Sequence, residues 1–298
     1  MKSVLTLGTF DGVHLGHQRI LQRMLRIARR KKRRAVVLSF VMPPRHAHLP
    51  DAVPVLLTTA DEKNRLLKVA GMDRVVPLIF DRKTSQTPAQ LFFDRQMIAR
   101  WNADVLVVGP DVAFGYRRSG SLSFLRRACR RAGIELVVVS PVRLGRRKIS
   151  SSLIREKLRA ADLASARQML GRPYEAKGGV VRGDGRGRKM GFPTVNVRIP
   201  AGKILPAGVS IVRAFLGRGR FLRGLCNVGN RPTFYGRNGE RTVEIYFPGR
   251  QISRSLNGRR IRIVFDRYLR PERRFSTVAS LILQLQRDVR SFQRINRR

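Results

Sequence analysis

Acidic residues are scarce in this chain. Against 62 Lys plus Arg it carries only 19 Asp plus Glu, which leaves a formal net charge of +43 over 298 residues. Such a field attracts polyanions and anionic small molecules without specifying which. Cysteine is nearly absent too. Cys129 and Cys226 are far apart, form no spacing motif, and are expected to be reduced packing residues of a cytoplasmic protein. No run of about 18 apolar residues occurs, so no membrane span is expected. The opening "MKSVLTLGTFDG" has too short an apolar segment for a signal peptide. Histidine is the last scarcity. There are four in all, and His14 and His17 both fall within "LGTFDGVHLGH".

What is present suffices for packed cores: 43% hydrophobic residues, 7% of the chain aromatic. The length favours two domains. Eleven of the 62 basic residues are Lys, so arginine dominates, in clusters such as "RIARRKKRRAV" and "FLRRACRRAG" on helix-like stretches. These read as a solvated, arginine-biased surface. Nucleic acid would be held there only non-specifically, since no recognition module is visible.

The first half alternates. "SVLTLG", "RAVVLSF", "DRVVPLIF", "ADVLVVG" and "GIELVVVS" are unbroken apolar runs separated by helix-like segments, the first from about Gln18 to Arg33. That pattern predicts a parallel sheet buried on both faces. "KISSSLIREKLRAADLASARQML" has helical periodicity and bridges the halves. After it come glycine, proline and short alternating strands, "VSIVRAFLG", "FLRGLCNVG", "TVEIYF" and "RIRIVFDRYL", which predict a small antiparallel barrel. An amphipathic helix from about Ser276 to Phe292 closes the chain. The expected domains are 1–171 and 172–298.

A turn leaving the first strand of a parallel sheet is where such folds bind ligands, and the following helix N-terminus favours phosphate. In "FDGVHLGH", Gly12 and Gly16 let a phosphate approach the backbone. His14 and His17, three apart, share a helix face and can converge on it. Their expected work is to stabilise charge moving from an α-phosphorus to departing pyrophosphate. As zinc ligands they would need a third partner, and His46 or His48 of "PPRHAHLP" is the candidate; phosphate binding is the preferred reading. "ISSSLIRE" offers three hydroxyls and Arg155 at a helix start, suited to a triphosphate. An N-cap with an incidental arginine is its bland alternative.

"LGTFDGVHLGHQRIL" resembles the signature of the FMN adenylyltransferase module of bacterial bifunctional riboflavin kinase/FAD synthetases, nucleotidyltransferases with an HxGH motif. "SFVMPPR" is similar to the family's second-strand motif. "VVGPDVAFG" resembles its GxDxxFG loop, which places Asp111 and Phe114, and "ISSSLIRE" its ISSTxIR, with Ser152 where Thr is usual. The resemblance implies a Rossmann-like nucleotidyltransferase domain in which Gly8, Phe10, Asp11, Gly12, Gly16, Asp111, Phe114, Ser150, Ser151 and Arg155 bind substrate. Class I aminoacyl-tRNA synthetases share a HIGH-type motif, but the short length and the lack of KMSKS argue against them.

In the second half, glycines 183, 185, 187 and 191 of "GDGRGRKMGFPTVNV" free the backbone to wrap an anion. Thr194 and Asn196 then offer oxygens suited to Mg²⁺ and ATP. The segment is similar to the riboflavin kinase motif with GFPTAN, Val195 replacing Ala. "GLCNVGNRPTFYG" and "TVEIYF" resemble the family's later segments, and "LRPERRF" its closing one. The resemblance implies nucleotide or flavin contact by Gly187, Arg188, Gly191, Pro193, Thr194, Asn196 and Arg270, with Mg²⁺ at Thr194 and Asn196. It also implies Glu244 as the catalytic carboxylate, a base for the ribityl hydroxyl. Ser210 stands where the family commonly has Tyr, and "YFPGRQ" lacks an acidic residue common after that strand.

The expected function is therefore a two-step synthesis, riboflavin to FMN with MgATP and FMN to FAD with a second ATP, catalysed by His14 and His17 in one domain and Glu244 in the other. Alternatives are an adenylyltransferase with a degenerate kinase domain, an adenylyltransferase for another phosphorylated substrate, and a basic nucleic-acid-binding protein on the same scaffold.

Overall fold

A computed structural model describes residues 1–41, 55–79, 81–217, 221–229, 241–250 and 256–296. The contacts divide these into two compact units, Met1–Ser151 and Ser152–Arg298.

The first unit opens with β1 (Ser3–Gly8), whose alternating Val and Leu side chains are buried on both faces. α1 (Leu15–Lys31) follows, presenting Leu21, Met24, Ile27 and Ala28 to the sheet at helical spacing. Its last turn carries Arg29, Arg30 and Lys31, which suits the negative end of the helix dipole, and Lys32 ends it in the left-handed conformation. Next come β2 (Arg34–Phe40), α2 (Ala60–Val69) and β3 (Arg74–Leu78). α2 starts with a reciprocal capping box between Thr59 and Glu62. After α3 (Arg82–Gln86), α4 (Ala89–Phe92) runs on into a π-helical stretch, Phe93–Arg100. β4 (Ala103–Val108), α5 (Leu122–Ala132) and β5 (Glu135–Val138) follow, then a small two-stranded ribbon, β6 (Arg143–Leu144) with β7 (Arg147–Lys148).

The strand order is β3-β2-β1-β4-β5, all parallel. The chain leaves β1 towards β2 on one side and later returns to β4 on the other. This makes the carboxyl ends of β1 and β4 the topological switch point, where open α/β sheets bind ligands. The turn bearing both histidines lies there.

The second unit begins with α6 (Ser151–Arg159), its first residue at the division, and α7 (Leu163–Leu170). The single helical stretch expected from sequence is broken at Ala161, whose φ is 55°, and Asp162 caps the new helix through Ser165 N–H. α7 packs against β8 (Tyr174–Val181) and β13 (Arg260–Arg270). Between those strands lie α8 (Arg186–Lys189), β9 (Thr194–Ile199), β10 (Gly208–Phe215), β11 (Phe221–Val228) and β12 (Arg241–Tyr246). They close a barrel in the order β10-β11-β12-β9-β8-β13. β8 and β9 were not foreseen as strands. Paired glycines interrupt the alternation of "YEAKGGVV", and "TVNVRI" sits inside a motif read for its ligand chemistry. α9 (Val278–Asn296) lays Val289, Phe292 and Ile295 against Val209, Ile211 and Leu225 of the barrel.

Candidate active sites

The turn after β1 is strained and tightly held. Phe10 (φ 49°) and Val13 (φ 39°) adopt left-handed backbone, costly for a β-branched residue, while Gly12 (φ 83°) does so at little cost. The Asp11 carboxylate fixes the turn by accepting from Leu57 N–H, Thr58 N–H and the Thr58 hydroxyl, at 2.9 to 3.0 Å. Gly12 N–H donates to the same hydroxyl at 3.0 Å, and the Ser151 hydroxyl donates to the Asp11 carbonyl at 2.8 Å. Asp11, 3% exposed, is therefore an internal anchor of this turn.

The two histidines come together as expected. His14 is the N-cap of α1, with Nδ1 accepting from His17 N–H, and the imidazoles stack with centroids 3.7 Å apart. Gly16 permits this: a Cβ there would lie 3.1 Å from the His14 ring. Phe10 covers His17 from another side, centroids 5.0 Å apart, and its own ring lies over Gly8. His17 Nδ1 is buried and has no hydrogen-bond partner among the described residues. Burial, then the nearby charges of His14 and Lys63, push its pKa well below the usual histidine value. At neutral pH the side chain is thus an uncharged imidazole with one nitrogen unsatisfied, a condition that an arriving phosphate can relieve.

The other predicted residues of this half have settings of their own. Ser150 and Ser151 stand at the start of α6, and Arg155, one turn on, is buried. Asp111 is exposed and pairs with Lys148. Phe114 is buried, packed on Phe92 and Phe124 beneath its loop, and Gly120 must be glycine for its ring to fit. His46, His48 and most of "SFVMPPR" lie outside the described residues, as does "NRPTFYG" in the second half.

In the barrel, Thr194 and Asn196 alternate onto one face of β9. Glu244 of β12 pairs directly with Asn196 and, on its other side, with Asn227 of β11. This row of three polar side chains crosses adjacent strands at the edge of a cavity of about 710 Å³, which Tyr246, Arg270 and Asp288 also line. A narrower cavity of about 440 Å³ shares Thr194, Asn196 and Gly183 with it and extends towards Arg188 and Pro193. Desolvation, then the charge of Asp184, hold the Glu244 carboxyl above the usual range, with Arg186 opposing them.

Gly183 and Gly187 have steric work. A Cβ on Gly183 would fall 2.1 Å from the Asn196 amide nitrogen, and one on Gly187 would fall 2.4 Å from the Phe192 carbonyl oxygen. Gly185 and Gly191 instead use positive φ, 75° and 82°. Arg270 is held by Asp288 of α9 through three bonds of 2.7 to 3.0 Å, and its third nitrogen donates to the Pro271 carbonyl. Asn227 and Thr58 escaped the sequence reading. The signal for Asn227 is an amide inside the apolar run "GLCNV"; Thr58 carries none.

Comparison with known proteins matches both halves. A family model described as FAD synthetase matches residues 1–153, and one described as riboflavin kinase matches residues 170–296. The bifunctional riboflavin kinase/FMN adenylyltransferase of Escherichia coli K12 is 34% identical over 286 residues, 96% of this chain and 90% of its own length. The protein of the same description from Haemophilus influenzae is 32% identical over 285 residues, 96% and 91% of the two chains. A Streptococcus pneumoniae crystal structure described as a macrolide-efflux protein superposes with a TM-score of 0.85 at 29% identity, over 97% of this chain and 93% of that one. No helix among the described residues here is long and apolar enough to cross a membrane. With a parallel-sheet unit and a closed barrel each matched by its own model, this chain belongs to the family of bifunctional riboflavin kinase/FMN adenylyltransferases.

Proposed function

We propose that this chain makes FMN and FAD, phosphorylating riboflavin in its barrel and adenylylating FMN at its parallel sheet, with ATP as the second substrate of each step. We place the boundary between the two activities near 171/172, between the α6–α7 pair and the barrel.

In adenylyl transfer, an FMN phosphate oxygen attacks the α-phosphorus of ATP in line. The bond to the β-phosphate breaks and pyrophosphate departs with the electron pair; no covalent enzyme intermediate is needed. His14 and His17 donate hydrogen bonds to the charge that builds on the triphosphate. The unsatisfied Nδ1 of His17 carries this reading. Ser150, Ser151 and Arg155 hold the outer phosphates.

In riboflavin phosphorylation, Glu244 takes the proton of the ribityl 5′-hydroxyl as its oxygen attacks the γ-phosphate, and ADP leaves. The larger cavity suits the flavin and the narrower one the nucleotide. Thr194 and Asn196, common to both, lie where the two substrates would meet. The donor set there fits Mg²⁺, which takes one or two protein oxygens and otherwise substrate phosphates. The Thr194 hydroxyl and Asn196 amide oxygen would hold the ion, and it would neutralise phosphate charge. Among the described residues no cluster of three His, Cys, Asp or Glu could hold a metal without substrate.

The reading places the enzyme in the cytoplasm, where ATP is made available. Purified chain incubated with riboflavin and MgATP, followed by separation of the flavins, tests it. FMN and then FAD are expected. FMN that never proceeds to FAD, or supplied FMN converted to FAD without riboflavin ever being used, would leave only one of the two activities standing.

A further inference from the structure

One buried cation near the histidines has no part in the steps above. Lys63 of α2 is 5% exposed, and its ammonium donates to the carbonyl of Thr9, at 3.1 Å, and to that of Phe40. Thr9 follows the last residue of β1, and Phe40 is the last residue of β2. These strands are adjacent and in register up to Gly8 and Ser39. The lysine therefore bridges the carboxyl ends of the two strands just where the backbone turns into the strained Phe10–Val13 segment. Strain of that kind persists only where surrounding bonds over-determine it. The far side of the turn is held by Asp11 on Leu57 and Thr58; the near side is held by Lys63.

We propose that Lys63 is a positioning residue for adenylyl transfer, bracing Thr9 and Phe40 so that the turn delivers His14 and His17 to the triphosphate. The inference rests on the reading of this site as the adenylyltransferase. A neutral side chain would leave the buried Phe40 carbonyl and the partly buried Thr9 carbonyl without their charged donor, and such bonds are about twice as strong as neutral ones. The charged and titratable groups facing the ammonium are Asp11 from the turn, and His17, backed by His14, from α1. Its neighbour Glu62 is turned to the helix cap at Thr59. Burial pushes the Lys63 pKa down to about 8, with Asp11 opposing. The brace is thus charged below that pH and weakens above it.

The test uses the full chain and both of its reactions, with Lys63→Met and Lys63→Arg. With Met, kcat for FAD formation should fall about 100-fold, the scale of an ångström misplacement. KM for ATP should change only a few-fold, and FMN formation from riboflavin should stay within twofold of wild type. Arg, which keeps the charge, should recover at least tenfold of the loss. The wild-type FAD-forming rate should decline above about pH 8, and FMN formation should show no matching limb there. FAD formation by Lys63→Met within threefold of wild type overturns the proposal. Should that variant fail to fold, a flat wild-type FAD-forming rate from pH 7 to 9.5 overturns it instead. Wild-type protein that makes FMN but no FAD at any pH would sink the assignment of the site, a different result from either.

Discussion

Gly183→Ala offers a test of the kinase site in which the change is one methyl group. The backbone of Gly183 does not use the left-handed region, so alanine can adopt it. The obstacle is the Asn196 amide, 2.1 Å from the new Cβ, with its carbonyl carbon at 2.7 Å. Contact between such atoms needs about 3.5 Å, so the amide must retreat by roughly 1.4 Å. Asn196 is bounded by β12 on one side, where Glu244 is its partner, and by β8 on the other. The retreat therefore displaces the oxygen proposed to hold Mg²⁺ and the group facing the base. A displacement of this size costs about 100-fold in rate where geometry governs. Steady-state FMN formation should fall by that factor, while FAD formation from supplied FMN serves as an internal control and should not change. Gly179→Ala, where a Cβ meets nothing within 4 Å, is the matched substitution and should be silent. Equal kinase rates in the two variants would refute the claim that Asn196 must approach the Gly183 backbone for phosphoryl transfer.

Other perturbations separate the two reactions. His17→Ala should lower FAD formation by at least about 100-fold, the usual cost of losing a transition-state donor, and spare FMN formation, measured on the same preparation. Glu244→Gln should do the reverse, by about 100-fold or more. Because burial and Asp184 raise the Glu244 pKa, the base form appears later than for an ordinary glutamate as pH rises. The kinase rate should climb through that raised midpoint, and Asp184→Asn should move the midpoint down in a pH–rate profile. Asp288→Asn breaks the buried pair with Arg270, whose side chains are 6% and 13% exposed. It should cost about 3 kcal/mol in denaturant unfolding of the barrel unit.

The parts of this molecule that follow a period were legible in its sequence. Five apolar runs became the five strands of the parallel sheet in order, and the alternating runs became β10 to β13. The HxGH spacing gave the histidine stack because residues three apart at a helix start must share a face. What escaped depends on contacts between distant segments. The motif marks Asp11 but not the partners of its carboxylate, Leu57 and Thr58, 46 and 47 positions away. Arg270 likewise meets Asp288 of α9. A sequence motif marks residues that the site needs. It does not distinguish those that touch a ligand from those that hold the ligand's loop in shape.

The positive charge belongs mainly outside both sites. From Gly12 to Pro50 there is no acidic residue, and on α1 Arg19, Arg23, Arg26, Arg29 and Arg30 are all exposed. α5 exposes Arg126, Arg127, Arg130 and Arg131. By contrast, burial lowers the pKa of His17, and desolvation with the charge of Asp184 raises that of Glu244. The surface arginines act at longer range. Their field draws in ATP, FMN and other phosphates alike, raising encounter rates in a salt-dependent way. It contributes nothing to the choice between adenylyl and phosphoryl transfer. In the proposed mechanism that choice is made within a few ångströms, by one pair of imidazoles and one row of barrel side chains.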